Sequence, residues 1–306
     1  MSQRVAIIGA GVSGLTSGIV LAEGGQRVSI FAHEIGPQTT SAAAGALWFP
    51  YDCEPHDEVI AWALETYNVL VDLARQSGTG VSLIELRTFS RKSEISIPEW
   101  ARKLGAKSGG PSLYIMNVPL TDTTIYLDYL AKRFVQAGGE IHAGVRFEKI
   151  EDVDLAFAVV INCAGFGAKS LVHDVDLEPH RGQVAIVRKI DNLAHATVCD
   201  DAPLMYALPR ANDCLFGGTN EISEDRHVDL ATTARIVAEC SRVLKIDPPK
   251  VVAERVGIRP FRKSGVRVER GQLRDGRTVI HNYGHGGSGF TLSWGCANEA
   301  AKLLVR

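Results

Sequence analysis

Cysteine is scarce in this sequence, and its spacing is irregular. Six cysteines are spread over 306 residues, and no two of them form a C-x-x-C pair. A disulfide-stabilised secreted domain and a zinc-finger type of site both need denser or paired cysteines. Four of the six lie in apolar strand or helix segments, which is typical of buried, reduced thiols. No metal site is expected in this chain.

Long apolar runs and an excess of one charge are also missing. The longest apolar runs fall well short of the ~18 residues that suggest a membrane span. The 33 Lys and Arg residues nearly balance the 35 Asp and Glu residues, so the net charge of −2 leaves no basic footprint for nucleic acid. The sequence opens on a strand rather than a charged and apolar leader, and residues 303–306 are not a Ser-Lys-Leu type of tail. A cytoplasmic protein that binds neither membrane nor nucleic acid is expected.

Glycine is plentiful, and it is concentrated first in a loop near the start of the chain. The apolar residues 4–8 predict a strand, and an apolar helix is predicted from about residue 13 to residue 23. Between them lies the G-x-G-x-x-G motif of Gly9, Ala10, Gly11, Val12, Ser13 and Gly14. In this setting Gly9 permits the tight turn, Gly11 admits a pyrophosphate, and Gly14 lets the helix pack closely on the strand. The motif predicts a dinucleotide site, although a tight β–α turn without a ligand has the same pattern.

A second glycine-rich loop lies near the end of the chain. An apolar strand over residues 278–281 leads into Gly284, Gly286, Gly287 and Gly289, and a helix is predicted over residues 291–304. Glycines between a strand and a helix let backbone N–H groups approach a flat or anionic ligand, with a helix N-terminus behind them. Two such loops at opposite ends of the chain suggest that both grip one long dinucleotide.

An acidic residue at the end of the second strand usually binds a ribose hydroxyl of a dinucleotide. The second strand is predicted over residues 26–31, and Ala32 occupies the usual position of the acid. Glu34 is the candidate for this role, and His33 is the competing choice.

Elements of a parallel sheet occur at the beginning of the chain, near residue 160 and at the end. Residues 158–165 are apolar nearly throughout, as in a strand buried on both faces. Between these segments, helices are predicted over residues 57–76, 123–137 and 231–245, and strands over residues 81–89, 114–118, 184–188, 205–208 and 214–217. The sequence therefore predicts an α/β fold. Its Rossmann-like domain is assembled from residues 1–55, 140–182 and 265–306, and an α+β domain of residues 56–139 and 183–264, built on an antiparallel sheet, is interleaved with it.

Two further motifs accompany the glycine loops in a fixed order. They are Ala43-Ala44-Gly45-Ala46-Leu47-Trp48 and Gly257-Ile258-Arg259-Pro260, and the last loop continues into Ser293-Trp294-Gly295-Cys296-Ala297. In that order the motifs closely resemble the D-amino-acid oxidase family, which includes D-aspartate oxidase, over nearly the whole chain. The resemblance implies bound FAD and a discontinuous flavin domain. It also implies oxidation of a D-amino acid to an imino acid, which hydrolyses to a 2-oxo acid and ammonia, while O2 is reduced to H2O2.

The resemblance implies roles for three residues at the substrate. Arg259 matches the arginine that clamps the substrate carboxylate, for which the planar guanidinium fork is well suited. Tyr206 matches a tyrosine whose hydroxyl also holds the carboxylate, and the Gly287 carbonyl matches the acceptor for the substrate amine. The simpler interpretations are a surface or domain-bridging arginine and a core tyrosine. Arg262 is the nearby alternative for the clamp.

Other matching positions imply contacts with FAD or with the substrate side chain. Residues that match contacts to the flavin or its phosphates are Thr40, Ser41, Gly45, Ala46 and Leu47. Those that match contacts to the flavin ring are Gly286, Gly287, Ser288, Gly289, Phe290 and Thr291. A strand near Phe147 and the residue Ala164 match contacts to the adenosine, and Tyr51 matches a tyrosine beside the substrate side chain.

Two departures from the family pattern bear on the substrate. Ala202 stands where vertebrate-type members have a lid tyrosine, and residues 199–204 form a short segment, so a small lid is expected. Phe49 replaces a glutamine of several relatives and makes one wall of the pocket apolar. A neutral D-amino acid is therefore the expected substrate. D-Aspartate oxidase is the rival, and it would need a second cation, for which Arg210 and Arg188 are the candidates.

No catalytic acid or base is required, because hydride transfer from the α-carbon to flavin N5 depends mainly on positioning. His281 and His285 are interpreted as structural residues of the last loop. The expected partners are a D-amino acid and O2, with a homodimer or a higher homo-oligomer left open. A dehydrogenase that avoids O2 and a flavin-binding protein without turnover are the alternatives from other classes.

Overall fold

The computed structural model describes residues 3–51, 56–92 and 94–305 of the chain. Cys53 and the predicted domain limits at residues 1, 55 and 306 lie outside these ranges. In chain order the strands and helices are β1 (Arg4–Ile8), α1 (Val12–Glu23), β2 (Arg27–Ala32), α2 (His56–Leu73), β3 (Val81–Phe89), α3 (Glu99–Lys103), β4 (Lys107–Gly110), β5 (Leu113–Thr121), α4 (Thr123–Gln136), β6 (Glu140–Ala143), β7 (Val159–Asn162), α5 (Ala168–Leu171), β8 (Leu177–Arg188), β9 (His195–Cys199), β10 (Met205–Pro209), β11 (Asp213–Gly217), β12 (Glu221–Ile222), α6 (Leu230–Leu244), β13 (Val251–Arg262), β14 (Arg267–Gln272), β15 (Thr278–Tyr283) and α7 (Gly289–Val305). None of the helices within these ranges has the length and apolar character that crossing a membrane requires.

Six strands form the first sheet, in the order β14-β15-β7-β1-β2-β6. Neighbours are parallel except for β14, which forms an antiparallel hairpin with β15. The central strands are buried on both faces: all of β7 is buried, as are Val5, Ala6 and Ile7 of β1. Three separated segments of the chain thus supply one largely parallel sheet, and the predicted Rossmann-like α/β architecture is confirmed.

Nine strands form the second sheet. Eight lie in the order β12-β8-β11-β10-β9-β3-β5-β4, and β13 pairs with β8. Pairing is antiparallel except between β3 and β9. Ile236, Val237 and Cys240 of α6 cluster with Phe216 of β11, so this helix covers the middle of the sheet. The predicted antiparallel sheet therefore exists.

Most predicted elements are present with small shifts at their ends. The strand over residues 81–89 has the predicted limits, and α4 starts where Asp122 accepts a hydrogen bond from Thr124 N (3.0 Å). The strands β4, β6, β9, β12, β13 and β14 were not predicted from the sequence. The longest of these, β13, carries charged residues along a half-buried strand, which hides its apolar pattern. The predicted domain limit between residues 182 and 183 falls inside β8, and the division into domains stays a prediction.

Two other expectations concern Phe147 and the cysteines. Phe147 does not lie in a strand, because β6 ends at Ala143 and Gly144 turns the chain with a φ of +74°. The five described cysteines are all buried, as expected: Cys163, Cys199, Cys214, Cys240 and Cys296.

The helix behind the last glycine loop, α7, is packed against both α1 and α2. Its contact with α2 is close at Gly295, where an added Cβ would lie 2.3 Å from the Trp62 carbonyl oxygen. Gly295 N also donates a hydrogen bond to Thr66 Oγ1 of α2 (3.0 Å). The position of the last glycine loop therefore depends on a backbone contact that leaves no space for a side chain.

Gly295→Ala should destabilise the protein, because the backbone of α2 would have to move away. The cost of overpacking should outweigh the ~1 kcal/mol that alanine gains over glycine in a helix. We expect a melting temperature several degrees lower in differential scanning fluorimetry. Gly271→Ala is the control, since it adds the same methyl group on the exposed strand β14, where it meets only the side chain of Val279 at 3.3 Å. Equal melting temperatures for the two variants would contradict the importance of the α2–α7 contact.

Candidate active site

Residues of both glycine loops line one cavity. Its volume is about 650 Å³, and its wall includes residues 9–13 of the first loop together with Gly286, Gly287 and Gly289 of the last. Residues from both sheets complete the wall, including Phe31 beside β1 and Tyr206 of the second sheet. Loops from opposite ends of the chain therefore border the same space.

The first loop is packed tightly at the carboxyl ends of β1 and β7. Gly9 has a φ of +106°, and a Cβ on it would lie 2.4 Å from the Cys163 carbonyl oxygen. A Cβ on Gly14 would lie 1.9 Å from the Gly9 carbonyl oxygen. The helix α1 starts at Val12 on the cavity wall, and Val12 N donates to Ser41 Oγ (3.0 Å). The tight turn and the close helix–strand packing expected of Gly9 and Gly14 are both present.

Glu34 and His33 both line the cavity just beyond β2. The Glu34 carboxylate forms an ion pair with Arg226, whose Nη1 lies 3.1 Å from Glu34 Oε1. Arg226 belongs to the segment between β12 and α6 and also lines the cavity. Arg226 could not be predicted as a residue of this cavity, because it lies outside every motif and far along the chain from Glu34.

Tyr206 of β10 and Arg259 of β13 meet on the wall of the cavity. Arg259 Nη1 donates to the Thr219 carbonyl (2.8 Å) and to Asn220 Oδ1 (3.4 Å), and its guanidinium lies beside the Tyr206 phenol. Burial raises the pKa of Tyr206, and the neighbouring Arg259 partly offsets this, so the phenol stays protonated at neutral pH. The pair offers a guanidinium and a hydroxyl to the same space.

Two glycines on neighbouring strands make room for this pair. A Cβ on Gly182 of β8 would lie 2.4 Å from Arg259 Nη2, and a Cβ on Gly217 of β11 would lie 2.0 Å from Tyr206 Cζ. Gly217 is directly opposite Tyr206 in the register of β10 and β11. Glycines inside strands indicate a close approach of another group, which is the sequence signal that could have pointed to Gly182.

Phe49 and Tyr51 are held beside the last glycine loop by two hydroxyl groups. Ser288 Oγ accepts from Tyr51 N (2.8 Å) and donates to the Tyr51 carbonyl (2.6 Å). Thr291 Oγ1 does the same for Phe49, at 3.1 Å in both directions. The two hydroxyls thus satisfy the backbone N–H and C=O groups of Phe49 and Tyr51 and hold both residues on the cavity wall.

The segment between β9 and β10 is short and anchored. Arg91 Nη1 donates to the Asp201 carbonyl (2.5 Å), and the Asp201 carboxylate accepts from Arg91 N (2.7 Å) and Ser90 Oγ (2.6 Å). Asp200 and Leu204 line the cavity, whereas Ala202 is exposed and lies off its wall. Residues 199–204, for which a small lid was predicted, are thus anchored to the loop after β3.

The alternative arginines are not brought to the cavity. Arg262 Nε donates to Asp174 (2.8 Å) and its Nη1 to the Gly265 carbonyl (3.1 Å). Arg210 is buried in a two-bond pair with Asp213 (2.6 and 2.8 Å), and Arg188 is exposed at the end of β8. None of the three is among the residues of the cavity wall.

His281 of β15 and His285 in the last loop are both kept neutral by burial. His285 lines the cavity, its Nε2 is 3.0 Å from Asn282 Oδ1, and burial lowers its pKa to about 4. His281 is not on the wall, and burial, together with the charge of Arg267, lowers its pKa to about 4. A histidine with so low a pKa is a weak base at neutral pH.

Of the residues that the sequence analysis assigned to a cofactor, all but two lie on the cavity wall. The exceptions are Gly14, which packs α1 on β1, and Ser288, whose side chain holds Tyr51. Those on the wall are Gly9, Ala10, Gly11, Val12, Ser13, His33, Glu34, Thr40, Ser41, Gly45, Ala46, Leu47, Phe147, Ala164, Gly286, Gly287, Gly289, Phe290 and Thr291. Their contact with a ligand stays a prediction.

Ser288→Ala should loosen the wall at Tyr51, because it leaves the Tyr51 N–H and carbonyl without their partner. Losing both hydrogen bonds should lower the free energy of unfolding by about 1–3 kcal/mol in urea denaturation. Ser108→Ala is a matched control: Ser108 Oγ also accepts from and donates to one residue, Gly110 (3.3 and 3.1 Å), but in the exposed strand β4. There we expect a change of less than about 0.5 kcal/mol. If both variants lost the same stability, the hydroxyl of Ser288 would have no special role.

Comparisons with known proteins identify the family and the fold of the chain. The family model described as FAD dependent oxidoreductase (DAO) matches residues 4–303. The chain is 39% identical to a D-amino-acid oxidase of Streptomyces coelicolor, with 98% of this chain and 96% of that protein covered. It is 30% identical to a D-aspartate oxidase of Homo sapiens, with 99% and 95% covered. Its fold matches the crystal structure of glycine oxidase from Geobacillus kaustophilus with a TM-score of 0.80 at 19% identity, covering 100% of this chain and 95% of that one. The chain therefore belongs to the DAO family of FAD-dependent oxidoreductases, as the resemblance in its motifs predicted.

Proposed function

We propose that the protein oxidises neutral D-amino acids to imino acids with FAD, and that O2 is reduced to H2O2. The observation that carries the proposal is the Arg259–Tyr206 pair, which faces the same cavity as both glycine loops. A guanidinium and a phenol hydroxyl together match the two oxygens of a carboxylate. One cavity thus combines two glycine loops that suit a dinucleotide with a guanidinium and a hydroxyl that suit a carboxylate.

The residues of the cavity suit FAD. The backbone at Gly9 lies too close to the Cys163 carbonyl for residue 9 to have a side chain, and the loop leads into the N-terminus of α1. Such a terminus favours a pyrophosphate, since its N–H groups and dipole attract negative charge. Glu34 would accept a hydrogen bond from the ribose, and the loop from Gly286 to Thr291 would lie against the flavin. When bound, FAD supplies the acceptor for the hydride that leaves the substrate α-carbon.

The protein's own contribution is to bind and orient the substrate. Arg259 is bonded to a carbonyl and a side-chain amide and lies beside a phenol, all of them neutral, so its positive charge is available to the substrate carboxylate. The Gly287 carbonyl would accept a hydrogen bond from the amine. His285, with its pKa near 4 and its contact with Asn282, is a poor proton acceptor. Positioning rather than a named base would therefore supply the rate.

The wall beside the Arg259–Tyr206 pair favours a neutral side chain. Phe49 and Tyr51 present aromatic rings, and Asp200 presents a carboxylate. Arg210 and Arg188, the cations that a D-aspartate oxidase could use, lie away from the wall. An acidic substrate side chain would thus meet rings and another negative charge.

We also propose the two-domain division given by the sequence, with its inner limit moved from residue 182 to the start of β8 near residue 177. The support is that β8 belongs to the second sheet over its whole length. A homodimer or a higher homo-oligomer stays part of the proposal. Nothing in the site depends on it, since both walls come from one chain.

Activity toward a panel of amino acids tests the proposed substrate class. Release of H2O2 should give higher kcat/KM values for D-phenylalanine, D-methionine and D-alanine than for D-aspartate, because burying an unpaired carboxylate costs several kcal/mol, or on the order of 100-fold. L-Phenylalanine is the control for handedness. If D-aspartate were the best substrate of the panel, the neutral class would be wrong. An enzyme with bound flavin but no turnover of any member would refute the activity itself.

Arg259→Ala should lose most activity and keep its flavin absorption, since the side chain is proposed to contact substrate and not cofactor. Removing one partner of a buried charge pair should cost about 2–5 kcal/mol in kcat/KM. Arg259→Lys should recover only part of this, because an ammonium cannot bind two carboxylate oxygens in the same fork geometry. Arg188→Ala, which removes an exposed arginine off the cavity wall, is the control. Near-normal kcat/KM for Arg259→Ala would place the carboxylate elsewhere.

A further inference from the structure

Arg226 is a charged residue of the cavity wall that the proposed reaction does not use. Its Nη1 lies 3.1 Å from Glu34 Oε1, and both side chains line the cavity. Glu34 follows β2 of the parallel sheet, whereas Arg226 follows β12 of the second sheet. The pair therefore connects the two sheets across the cavity, at the end where Glu34 would meet the ribose.

A buried arginine fixes the segment that carries Arg226. Arg181 of β8 is only 5% exposed. Its Nε donates to the Asp225 carbonyl (2.9 Å) and its Nη2 to the His227 carbonyl (2.6 Å). These two carbonyls flank Arg226 on either side. Burying a cation is costly unless it is hydrogen-bonded. The hydrogen bonds to these two carbonyls offset that cost, and they hold the backbone on both sides of Arg226.

A second anchor lies at the end of the same segment. Gln183 Nε2 donates to the Asp229 carbonyl (2.7 Å), and Gln183 Oε1 accepts from Asp229 N (3.0 Å) and from Arg181 Nη2 (2.8 Å). Arg181 and Gln183 thus form one network that holds residues 225–229. The backbone of Arg226 is fixed on β8, while its guanidinium reaches out of the second sheet to Glu34.

A contribution to folding stability does not explain why the Arg226–Glu34 pair is held in this position. The side chains of Arg226 and Glu34 are 57% and 39% exposed, and pairs of that kind contribute little to folding stability. A fixed guanidinium beside the carboxylate of the ribose site has a different consequence. It holds that carboxylate in place on the cavity wall.

We propose that Arg226 is a positioning residue for FAD: together with Glu34 it closes the cavity over the adenosine ribose and slows release of the cofactor. The proposal rests on the cofactor arrangement given under the proposed function. It adds that the second sheet, through Arg181 and Arg226, takes part in retaining FAD. Dissociation of FAD then requires the Arg226–Glu34 pair to open.

The test is the rate of FAD release from the holoenzyme, followed by the rise in flavin fluorescence after dilution, and the Kd from titration of the apoprotein with FAD. Arg226→Ala and Glu34→Gln should each raise the release rate about tenfold, the value of one charge-assisted hydrogen bond. The double variant should release FAD no faster than the faster single variant, because both changes remove the same contact. Arg226→Lys should recover part of the effect.

Arg235→Ala is the matched control, since Arg235 is also an exposed arginine in an ion pair, with Glu221 at 3.7 Å, but lies off the cavity wall. Added salt should speed release from the wild type and from Arg235→Ala, and should have less effect on Arg226→Ala. Equal release rates for Arg226→Ala and the wild type, or additive effects in the double variant, would overturn the proposal. That result would leave D-amino-acid turnover intact, and loss of turnover in a holoenzyme with normal FAD release would refute only the proposed function.

Discussion

The whole site depends on how closely backbone meets backbone where β1, α1 and β7 come together. Gly9 and Gly14 leave no room for a Cβ, because the carbonyls of Cys163 and Gly9 occupy that space. Since β7 belongs to a segment far along the chain, this contact joins the first glycine loop to the centre of the parallel sheet. The N-terminus of α1 is thereby set at the cavity, and every other wall is placed relative to it.

The opposite wall is assembled by side chains rather than by sheet pairing. Ser288 and Thr291 each accept from a backbone N–H and donate to the carbonyl of the same residue, and so hold Tyr51 and Phe49. Each bond contributes only about 1 kcal/mol net, yet leaving its buried partner unsatisfied costs more. A short hydroxyl in the last glycine loop can therefore fix an aromatic ring, which larger or apolar side chains could not do. The last glycine loop thus borders the cavity itself and also holds two aromatic residues of its wall.

The parts of the structure that could be predicted are those indicated by a few neighbouring residues in the sequence. Glycines between a strand and a helix, and apolar runs such as residues 158–165, each indicate structure within a few neighbours, so the parallel sheet and both loops could be found. The pair of Arg226 with Glu34 could not, because 192 positions separate the two residues and neither position has a periodic pattern. The strand β13 was missed for a related reason: its charged residues reach partners on other elements, such as Thr219 and Asp174. The role of Ser288 likewise appears only when the segment at Tyr51 is seen beside it.

The charge state of each arginine's partner separates Arg259, whose charge is not neutralised by a carboxylate, from Arg262 and Arg210, whose charges are. Arg262 and Arg210 are bonded to carboxylates, which neutralise their charge and fix their donors. Burial strengthens such pairs, and hydrogen bonds from Tyr283 and Arg262 lower the pKa of Asp174 even though burial itself raises it. Arg259 differs, because its partners are neutral and its guanidinium borders the cavity. A substrate carboxylate would therefore gain a full charge–charge interaction at Arg259 without displacing another anion. Proximity to the motif alone does not distinguish Arg259 from Arg262. The two differ in their hydrogen-bond partners, which are neutral for Arg259 and include a carboxylate for Arg262.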